Sequence, residues 1–234
     1  MVDGKGKLIR CTCCANLLQH SGLTDQEQKT TLTMLRDLRN DPAHHHLALR
    51  VAGKMILEQR FGFITVWGNT GTAKTLWGAA LAVEFCRQGV QARYLHAKTG
   101  LENPLFGNAL LVDGDRQRML LSTPILVIDE LQSINWRNEW VSQSVQNFFD
   151  TRYRMAKGDD PGERQVTILL SQYDPATYAP DFLLSRIRDG RFRFHWPANV
   201  DRPSCIGRDG LITWPFHVDT PDLRPSWPAQ GGKK

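Results

Sequence analysis

The sequence predicts an α/β fold: a three-layer α/β/α sandwich around a parallel central sheet. Three observations predict it. β-rich apolar runs alternate with helical runs along most of the chain. The run "PILVIDEL" (124–131) is apolar until it ends in two acids, the pattern of a strand buried on both faces. The run "FGFITVWG" (61–68) is β-branched and aromatic, and leads through a Gly- and Thr-containing loop into an Ala/Leu-rich helix.

The elements follow in order. Residues 1–22 carry Gly, Lys and Cys and read as an arm. Residues 23–60 read as mostly helical. Leu32, Leu35 and Leu38 recur every three residues, and after Pro42 the run "HLALRVAGKMILEQ" resumes helical spacing. Residues 61–200 read as the core. Its first strand is followed by a helix over 75–88 that stops at Gly89. "VQARYLHA" is the second strand and "PILVIDEL" the third. "EWVSQSVQNFFDTRYRMA" is a helix, "RQVTILLSQ" a buried strand, "PDFLLSRIRDG" a short helix and "RFRFHW" a further strand. From Pro197 onward Pro and Gly are frequent and periodicity fades. Residues 201–234 read as an extension ending in a loose tail, "PDLRPSWPAQGGKK".

A chain of 234 residues is long enough for one such domain with appendages. Its formal charge of +5 suits a polyanionic partner without establishing one. No apolar run approaches the roughly 20 residues of a membrane span, and no leader pattern follows Met1, so the expected compartment is the cytoplasm.

The loop "WGNTGTAKT" (67–75) carries the first chemistry. It resembles the phosphate-binding pattern G-x-x-x-x-G-K-[ST], with Ala73 where the last glycine belongs. A strand-to-helix loop aims backbone N–H groups inward, and the helix N-terminus adds a positive dipole end. Gly68, Asn69, Thr70, Gly71, Thr72, Ala73 and Leu76 would surround the phosphates. Lys74 would reach the β- and γ-phosphates, and the Thr75 hydroxyl would hold Mg²⁺. Ala73 adds only a methyl group and is tolerable there if its φ is helical. In "ILVIDE", Asp129 would position Mg²⁺ through water and Glu130 would polarise the attacking water. Both lie at a strand's C-terminal end, where open α/β sheets bind ligands.

With "NFFDTRYR", "VTILLSQ" and "LLSRIRDGRF" following in that order, residues 21–196 resemble AAA+ ATPases of the DnaC/IstB type. The resemblance implies an AAA+ core that binds ATP with Mg²⁺, hydrolyses it slowly and assembles into homo-oligomers. It implies a polar sensor at Gln172, where the family usually has Asn. It implies an arginine finger at Arg186, with Arg188 the other candidate. Arg202 is a poor match to a second sensor arginine. Two roles stand open: loader of a replicative helicase onto single-stranded DNA, or IstB-like regulator that assembles on duplex DNA and recruits a transposase. Ala73 and Gln172 motivate a third, a nucleotide-binding scaffold without turnover.

Cys11 and Cys14 form C-x-x-C, a possible Zn²⁺ pair against free thiols in an arm. His44, His45 and His46 point in different directions on a helix and read as surface or partly buried residues. Arg36, Arg39, Arg116, Arg118, Arg137, Arg152, Arg154 and Lys157 are candidate DNA-phosphate contacts, and the segment 101–120 is a candidate DNA-facing loop.

Overall fold

The computed structural model describes residues 12–37, 41, 43–60, 62–103, 114–157 and 164–220. Five parallel strands form the central sheet: β1 (Gly62–Trp67), β2 (Ala92–His96), β3 (Ile125–Asp129), β4 (Val166–Ser171) and β7 (Phe216–His217). Their spatial order is β2-β3-β4-β1-β7. β1, β3 and β4 are buried almost throughout, which is why their sequences run apolar instead of alternating. Helices α3 (Lys74–Arg87), α4 (Gly114–Ser122), α5 (Glu139–Ala156) and α6 (Asp181–Ile187) connect the strands.

Helix α3 sits close on the sheet because its inner face is small. A Cβ on Gly78 would lie 2.7 Å from Leu170 and 3.0 Å from Val127. Trp77 is fully buried, and its indole N–H donates to the Leu49 carbonyl at 2.7 Å. That bond ties α3 to the preceding helix α2 (His45–Gln59). Near the chain's start, α1 (Thr12–Gln19) packs on α3 and buries Leu18. Part of the arm is therefore built into the core.

The segment before the core is less helical than its spacing suggests. Between residues 24 and 44 the described part holds two 3₁₀ turns, Glu27–Lys29 and Leu32–Asp37. A repeat of three suits the 3₁₀ helix, which has three residues per turn and stacks Leu32 and Leu35 inward. The α-helix starts only at His45. Asp41 holds that start: its carboxylate accepts from the His46 N–H at 2.7 Å and faces the His45 ring at 3.2 Å. Only His44 matches the expected surface position; His45 and His46 are buried against Asp41.

The C-terminal part also departs from expectation. "RFRFHW" does not join the main sheet. Its β5 (Phe194–His195) pairs antiparallel with β6 (Leu211–Ile212) in a separate two-stranded ribbon. The fifth strand of the main sheet is β7, which pairs with β1 at Val66↔Phe216 and Trp67↔His217. Phe192 and Phe194 are buried, so the apolar signal of that run was real, but its strand partner is β6 and not a strand of the main sheet. The tail 221–234 lies outside the described residues.

Among the described residues, no helix is long and apolar enough to cross a membrane.

Candidate functional site

The site lies at the C-terminal edge of the sheet. β1 ends at Trp67, opposite Ser171 of β4, and His96 of β2 lies opposite Asp129 of β3. This register brings the loop 68–73, Asp129, Glu130 and Gln172 to one edge, with the N-terminus of α3 among them.

Lys74 is buried, and its ammonium donates to the Gly68 carbonyl at 2.6 Å, the Asn69 carbonyl at 2.7 Å and Thr72 Oγ1 at 3.0 Å. Burial pushes its pKa down to about 8, against the opposing pull of Asp129. All three acceptors are uncharged, so the loop holds a cation without a neutralising carboxylate in direct contact. Thr75 Oγ1 donates to Asp129 Oδ2 at 2.7 Å. Hydroxyl and carboxylate are hard oxygen donors, the set that Mg²⁺ takes beside phosphates. Leu76 is buried behind them.

Ala73 does not meet the condition of a helical φ. It takes φ 66° and ψ 15°, in the left-handed region rather than the helical one. The loop must reverse there to deliver Lys74 into the helix, and the glycine of the usual pattern does so without strain. Replacing Ala73 by glycine is expected to raise folding stability by about 0.5–1 kcal/mol. Relief of left-handed strain, worth about 1–2 kcal/mol, exceeds the unfolded-state entropy of glycine, about 0.4–1 kcal/mol. Urea unfolding of the two chains checks this, and a loss of stability would mean that residue 73 is not left-handed.

Glu130 is also left-handed, at φ 56° and ψ 44°, and its side chain is 58% exposed. Its N–H donates to Asp129 Oδ1 at 2.7 Å, and its carboxylate lies 3.8 Å from His96 Nδ1. Strain of this kind gathers at functional sites. Gln172 follows β4 directly, and its N–H donates to Gln132 Oε1 at 3.0 Å.

Arg186 is held elsewhere. Its Nε donates to Asp150 at 3.2 Å and its guanidinium lies 5.0 Å from the Tyr153 ring centre. It lines an open cleft of about 640 Å³ with Asn147, Asp150, Thr151, Arg154 and Lys157. None of these belongs to the loop or to the ends of β3 and β4. Within one chain, Arg186 and Lys74 therefore belong to separate places. Arg188 is exposed at the end of α6, and Arg202 is exposed and donates to the Arg208 carbonyl.

Arg152 is not a DNA contact. It is fully buried, and its guanidinium donates to Thr167 Oγ1 and to the carbonyls of Leu120, Thr123 and Val166. Within the candidate DNA-facing segment, Glu102 is buried, pairs with Lys98 and accepts the Asn135 N–H. Arg116 donates to the Gly100 carbonyl and Arg118 pairs with Asp115. Arg137 and Arg154 are exposed, and Lys157 lies 4.2 Å from the Tyr153 ring centre. Cys11, Arg39, the Arg36 side chain and residues 104–113 lie outside the described residues. Cys14 is free, with its thiol 3.6 Å from the Arg87 carbonyl. The described residues hold no cluster of three or more His, Cys, Asp or Glu side chains placed to bind a metal.

The residues that sequence reasoning missed are Tyr94, His96 and Gln132. Tyr94 OH donates to Asp129 Oδ2 at 2.5 Å, and burial beside that carboxylate raises its pKa. Tyr94 and His96 were findable: they are polar-tipped residues two apart at the end of "RYLHA", hence on one face of a strand that ends at the ligand edge.

No family model and no curated protein matches the sequence. Solved structures do match. A crystal structure of DnaI is similar over 86% of this chain and 94% of its own, with a TM-score of 0.59 at 14% identity. AMPPCP-bound DnaA from Aquifex aeolicus matches over 68% of this chain, with a TM-score of 0.51 at 23% identity. DnaA bound to AMPPCP and single-stranded DNA matches over 69%, also with a TM-score of 0.51 at 23% identity. The chain spans about half the length of these DnaA chains, 47% and 48%. Its parallel five-stranded sheet, with the loop 68–73 between β1 and α3, is an α/β fold that it shares with the DnaI and DnaA structures.

Proposed function

We propose that this chain binds ATP with Mg²⁺, hydrolyses it, and uses the cycle to load a replicative helicase onto single-stranded DNA. The observation that carries the nucleotide reading is the joining of Thr75 to Asp129 beside a buried Lys74 whose acceptors are all uncharged. A γ-phosphate would supply the counter-charge that Lys74 lacks, and the loop N–H groups would hold the β-phosphate. Bound Mg²⁺ would neutralise phosphate charge, with Thr75 and Asp129 holding it. Glu130, exposed at the same edge, would orient and polarise water, and Gln172 would hydrogen-bond that water or the γ-phosphate. Arg186 would act on the nucleotide of a neighbouring copy, which makes a homo-oligomer part of the reading. The likeness to DnaI along almost the whole of both chains supports the loader role over other uses of the fold.

The test is phosphate release by the parent and by Glu130→Gln, without DNA, with single-stranded DNA and with duplex. The parent is expected to turn over slowly and faster with single-stranded DNA. Glu130→Gln is expected to bind ATP and to lose roughly 100-fold or more in turnover. Stimulation by duplex alone would move the reading to a transposition regulator that recruits a transposase. ATP binding with no release under any condition would leave a scaffold, the alternative that Ala73 and Gln172 motivate. Failure to associate with a replicative helicase, with or without ATP, would remove the loader role.

A further inference from the structure

We propose that Tyr94 is a positioning residue for the Mg²⁺-binding carboxylate, and that the N-terminal segment docked at Ser21 and Gly22 controls it. The proposal rests on the ATP·Mg²⁺ reading above. It starts from Asp129, whose oxygens are both engaged. Oδ1 accepts the Glu130 N–H at 2.7 Å, and Oδ2 accepts Thr75 Oγ1 at 2.7 Å and Tyr94 OH at 2.5 Å. The Tyr94 hydroxyl thus fixes the carboxylate that orients Thr75.

The other side of Tyr94 belongs to the arm. β2 is the edge strand of the sheet, and its Tyr94 N–H donates to the Ser21 carbonyl at 2.7 Å. Next to it, Arg93 Nη1 donates to the His20 carbonyl at 3.0 Å. Ser21 is fully buried, and its hydroxyl returns to the Leu18 carbonyl at 2.6 Å. Gly22 makes the close approach possible. Its φ is +81°, and a Cβ there would stand 2.4 Å from the Tyr94 carbonyl oxygen. No other residue fits both the conformation and the space. One continuous path of contacts therefore runs from α1 through Ser21 and Gly22 to Tyr94, Asp129 and Thr75. Lifting the segment frees the edge of β2 at the residue that holds Asp129, and Mg²⁺ binding weakens. By linkage, Mg²⁺ with nucleotide holds the segment down to the same degree.

The test uses the full chain and a fluorescent ATP analogue, titrated in chelator and across Mg²⁺ concentrations. Tyr94→Phe keeps the ring and removes the hydroxyl. It is expected to leave affinity in chelator within about twofold and to raise the Mg²⁺ concentration for half effect roughly tenfold. Gly22→Ala should shift it the same way, by roughly threefold, and the double variant no further than Tyr94→Phe alone. Amide exchange at residues 20–22 should slow when Mg²⁺ and analogue bind the parent, and not in Tyr94→Phe. An unchanged Mg²⁺ dependence in Tyr94→Phe overturns the positioning role. Additive shifts in the double variant overturn the control by the arm. So does exchange at 20–22 that ignores Mg²⁺ and nucleotide, a measurement that decides even if Gly22→Ala fails to fold. A parent that binds no nucleotide in either condition overturns the ATP reading and this proposal together.

Discussion

Arg152→Ala is expected to cost roughly 4 kcal/mol of folding stability while leaving the nucleotide loop chemically intact. The guanidinium satisfies Thr167 and the carbonyls of Leu120, Thr123 and Val166, which join α5 to the end of α4, to the start of β3 and to β4. Alanine leaves those acceptors without donors in a space closed to solvent, and leaves a cavity as well. Burial lowers the arginine's pKa to about 9, so the group still carries its charge at neutral pH. Lysine is expected to recover less than half of the loss, because a point charge cannot replace a planar fork reaching four acceptors. Chemical denaturation of the three chains measures this. A loss below about 1 kcal/mol for alanine would mean that the carbonyls find other donors and that the fold does not depend on this residue.

Lys74→Ala is expected to separate the other way. Nucleotide affinity should fall about 100-fold or more, since a charge-assisted phosphate contact is lost from a low-dielectric site. Folding stability should move by less than about 1 kcal/mol, because burial already works against the lysine's charge in the nucleotide-free fold. Equilibrium binding of labelled ATP and a denaturation curve on the same preparation give both numbers. Retained affinity would remove Lys74 from the phosphate site. A large stability loss with retained affinity would make it a loop brace through Gly68, Asn69 and Thr72 instead.

The two residues also show what the sequence could and could not tell. The central strands were legible because burial on both faces leaves a run such as "ILVID" no polar position. That the loop 68–73 and the acids Asp129 and Glu130 meet at one edge was legible, because a strand-loop-helix run and a buried strand ending in acids both point to the C-terminal edge of a parallel sheet. Arg152 was misread by type, yet its position carried the answer. Val141, Val145, Phe148, Phe149, Arg152 and Ala156 form one buried stripe along α5, and the arginine sits within it. The left-handed Ala73 could not be read from its residue type, since alanine rarely adopts that region. β7 could not be read either: two residues are too few to show any period. Its place is set by pairing with β1, a contact about 150 positions away in the chain.

That late strand has a consequence for how the protein is made. β1 emerges early from the ribosome, yet the end of its outer edge is paired only when Phe216 and His217 reach Val66 and Trp67 and the Val218 N–H reaches the Trp67 carbonyl at 2.8 Å. Until then a nascent chain carries an open β end beside the loop 68–73, the kind of edge that other chains can join. A chain stalled or clipped before residue 211 would hold every catalytic candidate named above and still lack the strand that closes the sheet. Translation of residues 216–218 thus adds the fifth strand and also shields the end of β1.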